Sequence, residues 1–197
     1  MQTNQCPKSA RRLTSSAGKA IVKASIAAIM ILAAGGCANM QSAKAPVDVP
    51  DNLKPGADES LAMIVSAKGV QVYECRAKND AGGNHEWVFV GPAADLFSAS
   101  GSRIGKHYNG PHWESNDGSK ILGTVKANAP APAADAIPWL LLTAQSAGPE
   151  GVFSKITSVQ RVRTVGGVAP RTGCSQATEG ILARELYTAD YYLFAKK

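Results

Sequence analysis

The sequence predicts an all-β fold, a single-domain sandwich or barrel of short antiparallel strands preceded by a signal peptide and a flexible tether. Three observations lead there. Short apolar or alternating runs recur at close spacing, clusters of Gly, Asn, Asp and Pro separate them, and no segment offers a long, well-capped amphipathic helix. With 45% of residues hydrophobic and 18% charged, the chain has the composition of a folded protein and not of a disordered one. The domain is expected over residues 60–197, an ordinary size for one hydrophobic core.

Taken in order, Gly69-Val70-Gln71-Val72-Tyr73-Glu74-Cys75 alternates strictly, with Val70, Val72 and Glu74 on one face. The turn cluster Asn79 to Asn84 separates it from His85-Glu86-Trp87-Val88-Phe89-Val90, so the two read as a hairpin that Gly91-Pro92 ends. Residues 102–108 and 120–125 form two further strands, with Asn116-Asp117-Gly118-Ser119 as the tight turn between them. An Ala/Pro loop occupies 128–136. The apolar run 137–144 fits either a buried strand or a short helix, and Pro138 near its start permits both. In 155–165 the spacing of Ile156, Val159, Val162 and Val165 also suits a helix, but the β-branched content favours strand. Tyr187 to Phe194 closes the chain as a strand.

The formal net charge of +6 comes from 21 basic and 15 acidic residues, and its distribution decides what it means. Residues 1–36 carry Lys8, Arg11, Arg12, Lys19 and Lys23 with no carboxylate. From Cys37 onward the chain is nearly neutral, which removes the case for a nucleic-acid partner. The basic stretch, the apolar run Ala24 to Ala34 and the small residues Gly35-Gly36 have the three-part layout of a secretory signal over 1–36. The apolar run is shorter than the about 20 residues needed to span a bilayer as a helix. Ala34-Gly35-Gly36-Cys37 resembles a bacterial lipobox, which makes Cys37 the expected lipid-attachment residue and the membrane a partner through that anchor. Ala38, where Asp would signal inner-membrane retention, implies the periplasmic face of the outer membrane. The alternative is cleavage near the same point without lipid, giving a soluble periplasmic protein. Residues 37–59, with Pro46, Pro50 and Pro55 and no hydrophobic period, read as the lipidated N-terminus and its tether.

Of four cysteines, Cys6 leaves with the leader and Cys37 is assigned to lipid, leaving Cys75 and Cys174. Two cysteines in an oxidising compartment read as one disulfide. In the loop-entropy account, a crosslink across so many residues stabilises a fold by roughly 4–5 kcal/mol.

The densest group of polar and aromatic side chains is His107 to Ser119. His107, Trp113, Glu114 and Asp117 are the candidate binding or catalytic residues, with His107 as base and Asp117 or Glu114 as its orienting partner. His107 and His112 with a carboxylate would also suit a divalent metal, but their spacing matches no known ligand motif, and no cofactor is predicted. Neither a Gly-x-Ser-x-Gly elbow nor a His-Glu-x-x-His pair is present. Trp87, Trp113, Trp139, Tyr108 and Tyr187 are candidates for a ligand-facing surface, although Trp in a small β domain usually serves the core. Arg161, Arg163 and Arg171 flank Gly166-Gly167 and suit an acidic group, although a solvated strand face is their commoner place.

The order of Gly69 to Cys75, His107-Tyr108-Asn109-Gly110-Pro111-His112-Trp113-Glu114, Ile137-Pro138-Trp139, Gln160 to Pro170, Gly173-Cys174 and Tyr187-Thr188-Ala189-Asp190-Tyr191-Tyr192 resembles a secreted bacterial and fungal family, domain of unknown function 3455. The resemblance covers about residues 60–194. It implies that Cys75 and Cys174 are the family's own pair, and it implies no activity. A dehydrogenase label carried by some fungal relatives finds no Gly-x-Gly-x-x-Gly here. The expectation is therefore a cell-envelope lipoprotein with a non-catalytic β domain that binds an unknown small ligand or envelope partner. The alternative is a secreted enzyme, hydrolase-like or metal-assisted, using the segment from His107 to Asp117.

Overall fold

A computed structural model describes residues 48–79, 82–108 and 110–197. The expected signal peptide and Cys37 lie outside the described residues.

Eight strands form one closed barrel in which every strand pairs antiparallel with its neighbours in sequence and the last pairs with the first. They are β1 (Glu59–Ala77), β2 (His85–Phe97), β3 (Arg103–Tyr108), β4 (His112–Ser115), β5 (Lys120–Ala129), β6 (Trp139–Ser146), β7 (Ile156–Gly166) and β8 (Leu182–Lys196). An eight-stranded barrel has an interior wide enough to be filled by side chains or to hold one small ligand. The closing seam is long, running from Glu59 opposite Lys196 to Glu74 opposite Leu182.

The expected all-β class is what is found, and both ambiguous segments, 137–144 and 155–165, resolve as strands β6 and β7. The expected hairpin of residues 69–75 with 85–90 is found at the turn-side end of the β1–β2 pair, where Cys75 lies opposite Trp87 and Tyr73 opposite Phe89. Three expectations need correction. Gly91-Pro92 does not end β2. The strand continues to Phe97 because the register shifts between Val72 and Tyr73, and a proline is tolerated beside such an irregularity. The Asp117-Gly118 turn does not join the strands at 102–108 and 120–125. A short strand, β4, intervenes, and the turn links β4 to β5. Finally, the tether does not extend to residue 59. Leu53, in a 3-10 turn over Asp51–Leu53, is fully buried, and its carbonyl accepts a hydrogen bond from the Gln160 amide at 2.7 Å.

Strand alternation divides the apolar side chains between two cores. The inner one fills much of the barrel with Val65, Leu96, Trp113, Leu142, Tyr191 and Leu193. The outer one lies on the other face of β5 to β8, where Trp139, Leu141, Val162, Tyr192 and Phe194 pack under Leu53. Successive residues of β8 serve opposite cores, Tyr191 and Leu193 the inner and Tyr192 and Phe194 the outer. This double burial explains why the end of β8 reads as a continuous apolar run. In β1 Val65, Ala67, Gln71, Val72, Tyr73 and Cys75 are buried, the consecutive run at 71–73 spanning the register shift between Val72 and Tyr73, while Val70 and Glu74 are only partly buried.

Cys75 at the end of β1 is bonded to Cys174 in the β7–β8 connection, with an S–S distance of 2.02 Å and a Cα–Cα distance of 5.3 Å. The same connection contains a 3-10 turn at Gln176–Thr178 whose Ser175 and Thr178 cap each other reciprocally.

Candidate functional site

A cavity of about 310 Å³ opens inside the barrel. Its apolar wall includes Val90, Pro92, Pro111, Leu140 and Leu142, while Phe89 and Val125, each about half exposed, lie at its rim. Its polar lining comes from Gln71 on β1, His107 on β3, Arg161 on β7 and Tyr191 on β8, together with the indole of Trp113 on β4.

The β3–β4 hairpin sets the first part of this site. His107 lies opposite Trp113 in the register, so both side chains point inward. Their rings stack with centroids 4.2 Å apart and planes 15° from parallel, and Tyr191 meets both edge-on, at 5.1 Å from His107 and 5.3 Å from Trp113. The indole fits because residue 123 is glycine, where a Cβ would come within 2.8 Å of the Trp113 ring. His107 Nδ1 is 2.7 Å from the carbonyl oxygen of His112. A carbonyl only accepts, so Nδ1 carries the proton and Nε2 keeps its lone pair. Burial lowers the imidazole pKa to about 3, despite the opposing effect of that hydrogen bond. His107 is therefore neutral at physiological pH and a poor general base.

On the opposite wall, Arg161 donates through Nε and Nη2 to the Pro138 carbonyl at 3.1 and 2.8 Å. Tyr191 is its register partner on β8. The Tyr191 hydroxyl is buried and held above its ordinary pKa by desolvation, and it lies 3.4 Å from the Tyr187 hydroxyl. Gln71 is 2% exposed, and its amide acts on the Tyr187 phenol, opposing the rise in pKa that burial causes there. The indole nitrogen of Trp113 is likewise buried without an acceptor. No Asp or Glu is among the described residues that line the cavity.

The predicted site residues do not assemble into one constellation. His107 and Trp113 enter the barrel together. Glu114, one residue further along β4, faces outward, where Tyr108 donates to it at 2.5 Å and Lys106 lies at 3.2 Å. That contact pushes the Tyr108 phenol up to about 12 and lowers the Glu114 carboxyl. His112 also faces outward, with its ring stacked on Tyr108 at 5.2 Å, so strand alternation separates it from the His107 imidazole. Among the described residues no group of three His, Cys, Asp or Glu is placed to hold a metal. Asp117 organises the β4–β5 turn. It accepts from the Ser119 hydroxyl and amide at 2.6 and 2.9 Å and from the Val152 amide at 2.8 Å, and these bonds, led by the hydroxyl, hold its pKa well below the usual carboxylate range. Of the other candidates, Trp139 belongs to the outer core, and Trp87 donates to the Thr172 carbonyl at 3.0 Å. Arg163 lies 3.4 Å from Asp190, and Arg171 lines a separate surface groove.

Gln71 is the lining residue that sequence reasoning passed over. A polar residue between two valines reads as the solvent face of a strand, and only the closure of the barrel reverses that.

Residues 55–195 match the family described as protein of unknown function, DUF3455. The chain belongs to this family. No curated protein matches it. The match covers all eight strands save the last residue of β8, so the barrel and its cavity lie within the family's own domain.

Proposed function

We propose that this member of the family is a lipid-anchored cell-envelope protein whose barrel binds a small ligand without transforming it. The observation that carries the binding part is the cavity, an apolar pocket with a few convergent polar groups. Against catalysis stand the low basicity of His107 and the engagement of Asp117 and Glu114 elsewhere. The anchor rests on the sequence before Cys37, and the neutral exported part gives no reason to invoke nucleic acid.

A neutral apolar fluorophore, N-phenyl-1-naphthylamine, tests the cavity. The full chain is expected to bind it saturably at one site, and Val125→Trp at the half-exposed rim is expected to weaken binding at least tenfold with the fold intact. An absence of saturable binding defeats the ligand-binding reading. For the anchor, palmitate labelling is expected in the wild-type chain and not in Cys37→Ser, and equal labelling of both refutes it.

A further inference from the structure

The barrel is closed in topology, but its wall is not equally complete all round. β2 pairs with β3 only over 93–97, and β5 pairs with β4 only over 120–122. The Gly123 amide makes the hairpin's last bond to β5, donating to the Pro111 carbonyl at 3.0 Å. Beyond that level, among the described residues, no strand borders the free edge of β2 over 85–92 or of β5 over 124–129, and no pairing joins the two edges. The cavity reaches the surface at this gap. Val90 and Pro92 of β2, Gly110 and Pro111 of the β3–β4 turn, and Val125 of β5 all line it, and Phe89 and Val125 are half-exposed although they belong to the lining. The ends of the barrel are stoppered instead. At one end Phe153 of the β6–β7 connection is fully buried in the inner core, and its amide donates to the Ser119 hydroxyl at 3.0 Å. At the other the β7–β8 connection is held to β1 and β2 by the Cys75–Cys174 bond, by Tyr73 donating to the Gly167 carbonyl at 2.7 Å and by Trp87 donating to the Thr172 carbonyl.

Two free strand edges ordinarily invite a further strand. Here each edge is interrupted. Val90 is an extra residue in β2, between the pairs Val72–Gly91 and Tyr73–Phe89, and Lys126 is an extra residue in β5, between the pairs Val125–Leu142 and Ala127–Leu141. Such bulges, with Pro92 on one edge and Lys126 on the other, are devices that keep strands from adding to an edge. The gap thus resists a strand and stays passable to a small molecule. We infer that the cavity is loaded sideways, through the gap between β2 and β5, and takes the apolar end of an amphiphile whose polar remainder stays outside. This assignment rests on the reading of the cavity as a ligand site and adds the ligand's class and its route. At about 310 Å³ the cavity is at the small end for ligand sites, and Phe89 and Val125 carry its apolar surface outward through the wall. A mouth in the wall lets a ligand longer than the cavity bind with its tail in solvent, which an enclosed cavity forbids.

Stopped-flow fluorescence on the full chain tests this with N-phenyl-1-naphthylamine and with the same fluorophore carrying a polyethylene glycol tail too large for the cavity. The tail is expected to change the dissociation constant less than threefold. Val125→Trp at the gap is expected to slow association at least fivefold and Phe89→Ala to speed it at least twofold. Val152→Trp and Arg171→Trp, in the connections that stopper the two ends, are expected to change it less than twofold. A residue that merely touches the bound ligand alters dissociation instead. Near-UV circular dichroism reports the fold of each variant, and should the gap variants fail to fold, the comparison of the two probes on the wild-type chain decides alone. If the tailed probe fails where the untailed one binds, or if the end variants slow loading and the gap variants do not, the lateral route is overturned while the cavity stands as a ligand site. If neither probe binds, both readings fall.

Discussion

The two faces of this barrel wall bury comparable side chains to different ends. On the outer face of β5 to β8, aromatic and aliphatic groups are covered by Leu53, and the covering segment is fixed by a buried hydrogen bond from Gln160. On the inner face, aromatic stacking around His107 and Trp113 leaves a cavity. The outer face is covered by the chain's own 3-10 turn, whereas the inner face keeps a cavity. Burial alone therefore does not distinguish the two faces. What distinguishes them is whether side chains fill the space between the strands.

The largest effect that separates the faces is expected from Leu53→Ala. Truncating a fully buried Leu costs about 2–5 kcal/mol, so denaturant unfolding should show a loss in that range while fluorophore binding in the cavity is unchanged. A parallel loss of binding would break the distinction between the two cores. Next is the pH response of the inner face. His107 titrates near 6.5 when unfolded and near 3 when folded, so below pH 6.5 the unfolded chain takes up a proton that the native state refuses. Stability attributable to this group is thus complete above pH 6.5 and is lost as pH falls towards 3, by roughly 2–3 kcal/mol between pH 6.5 and 4.5. Comparing unfolding at pH 7.5 and 4.5 in wild type and His107→Gln checks this, and an equal acid loss in both would contradict it. The smallest effect belongs to the β4–β5 turn. Because the folded Asp117 pKa is depressed, its contribution is present above the unfolded carboxylate value and is lost as pH falls below about 4. Asp117→Asn should lessen acid sensitivity only in that window, and a change in the pH 4.5–7.5 response would show that the turn is coupled to the barrel interior.

Local signals carried much of the architecture in the sequence. The alternation of residues 69–75, the cluster at 79–84 and the Asp117-Gly118 pair each depend on a few neighbouring residues, and each marks the strand or turn expected of it. Properties that depend on distant pairing were hidden. Leu53 is a lone apolar residue among prolines and charges, and nothing nearby indicates that Gln160 will receive its carbonyl. The continuation of β2 through Pro92 depends on a register shift against β1. The candidate site was half legible. His107 and Trp113 were found because imidazole and indole are chemically conspicuous, but β-strand alternation sends Glu114 and His112 to the other face. Gln71 and Arg161 converge with them only because four separate strands, β1, β3, β4 and β7, share one interior.

The β1–β8 seam also dictates when this protein can be finished. Glu59 pairs with Lys196 and Glu74 with Leu182, so one edge of the first strand stays unpaired until β8 is available. No N-terminal portion can complete the barrel, and loop closure over nearly the whole domain must precede the gain from its closing contacts. The barrel closes only when β8 is available to pair with β1.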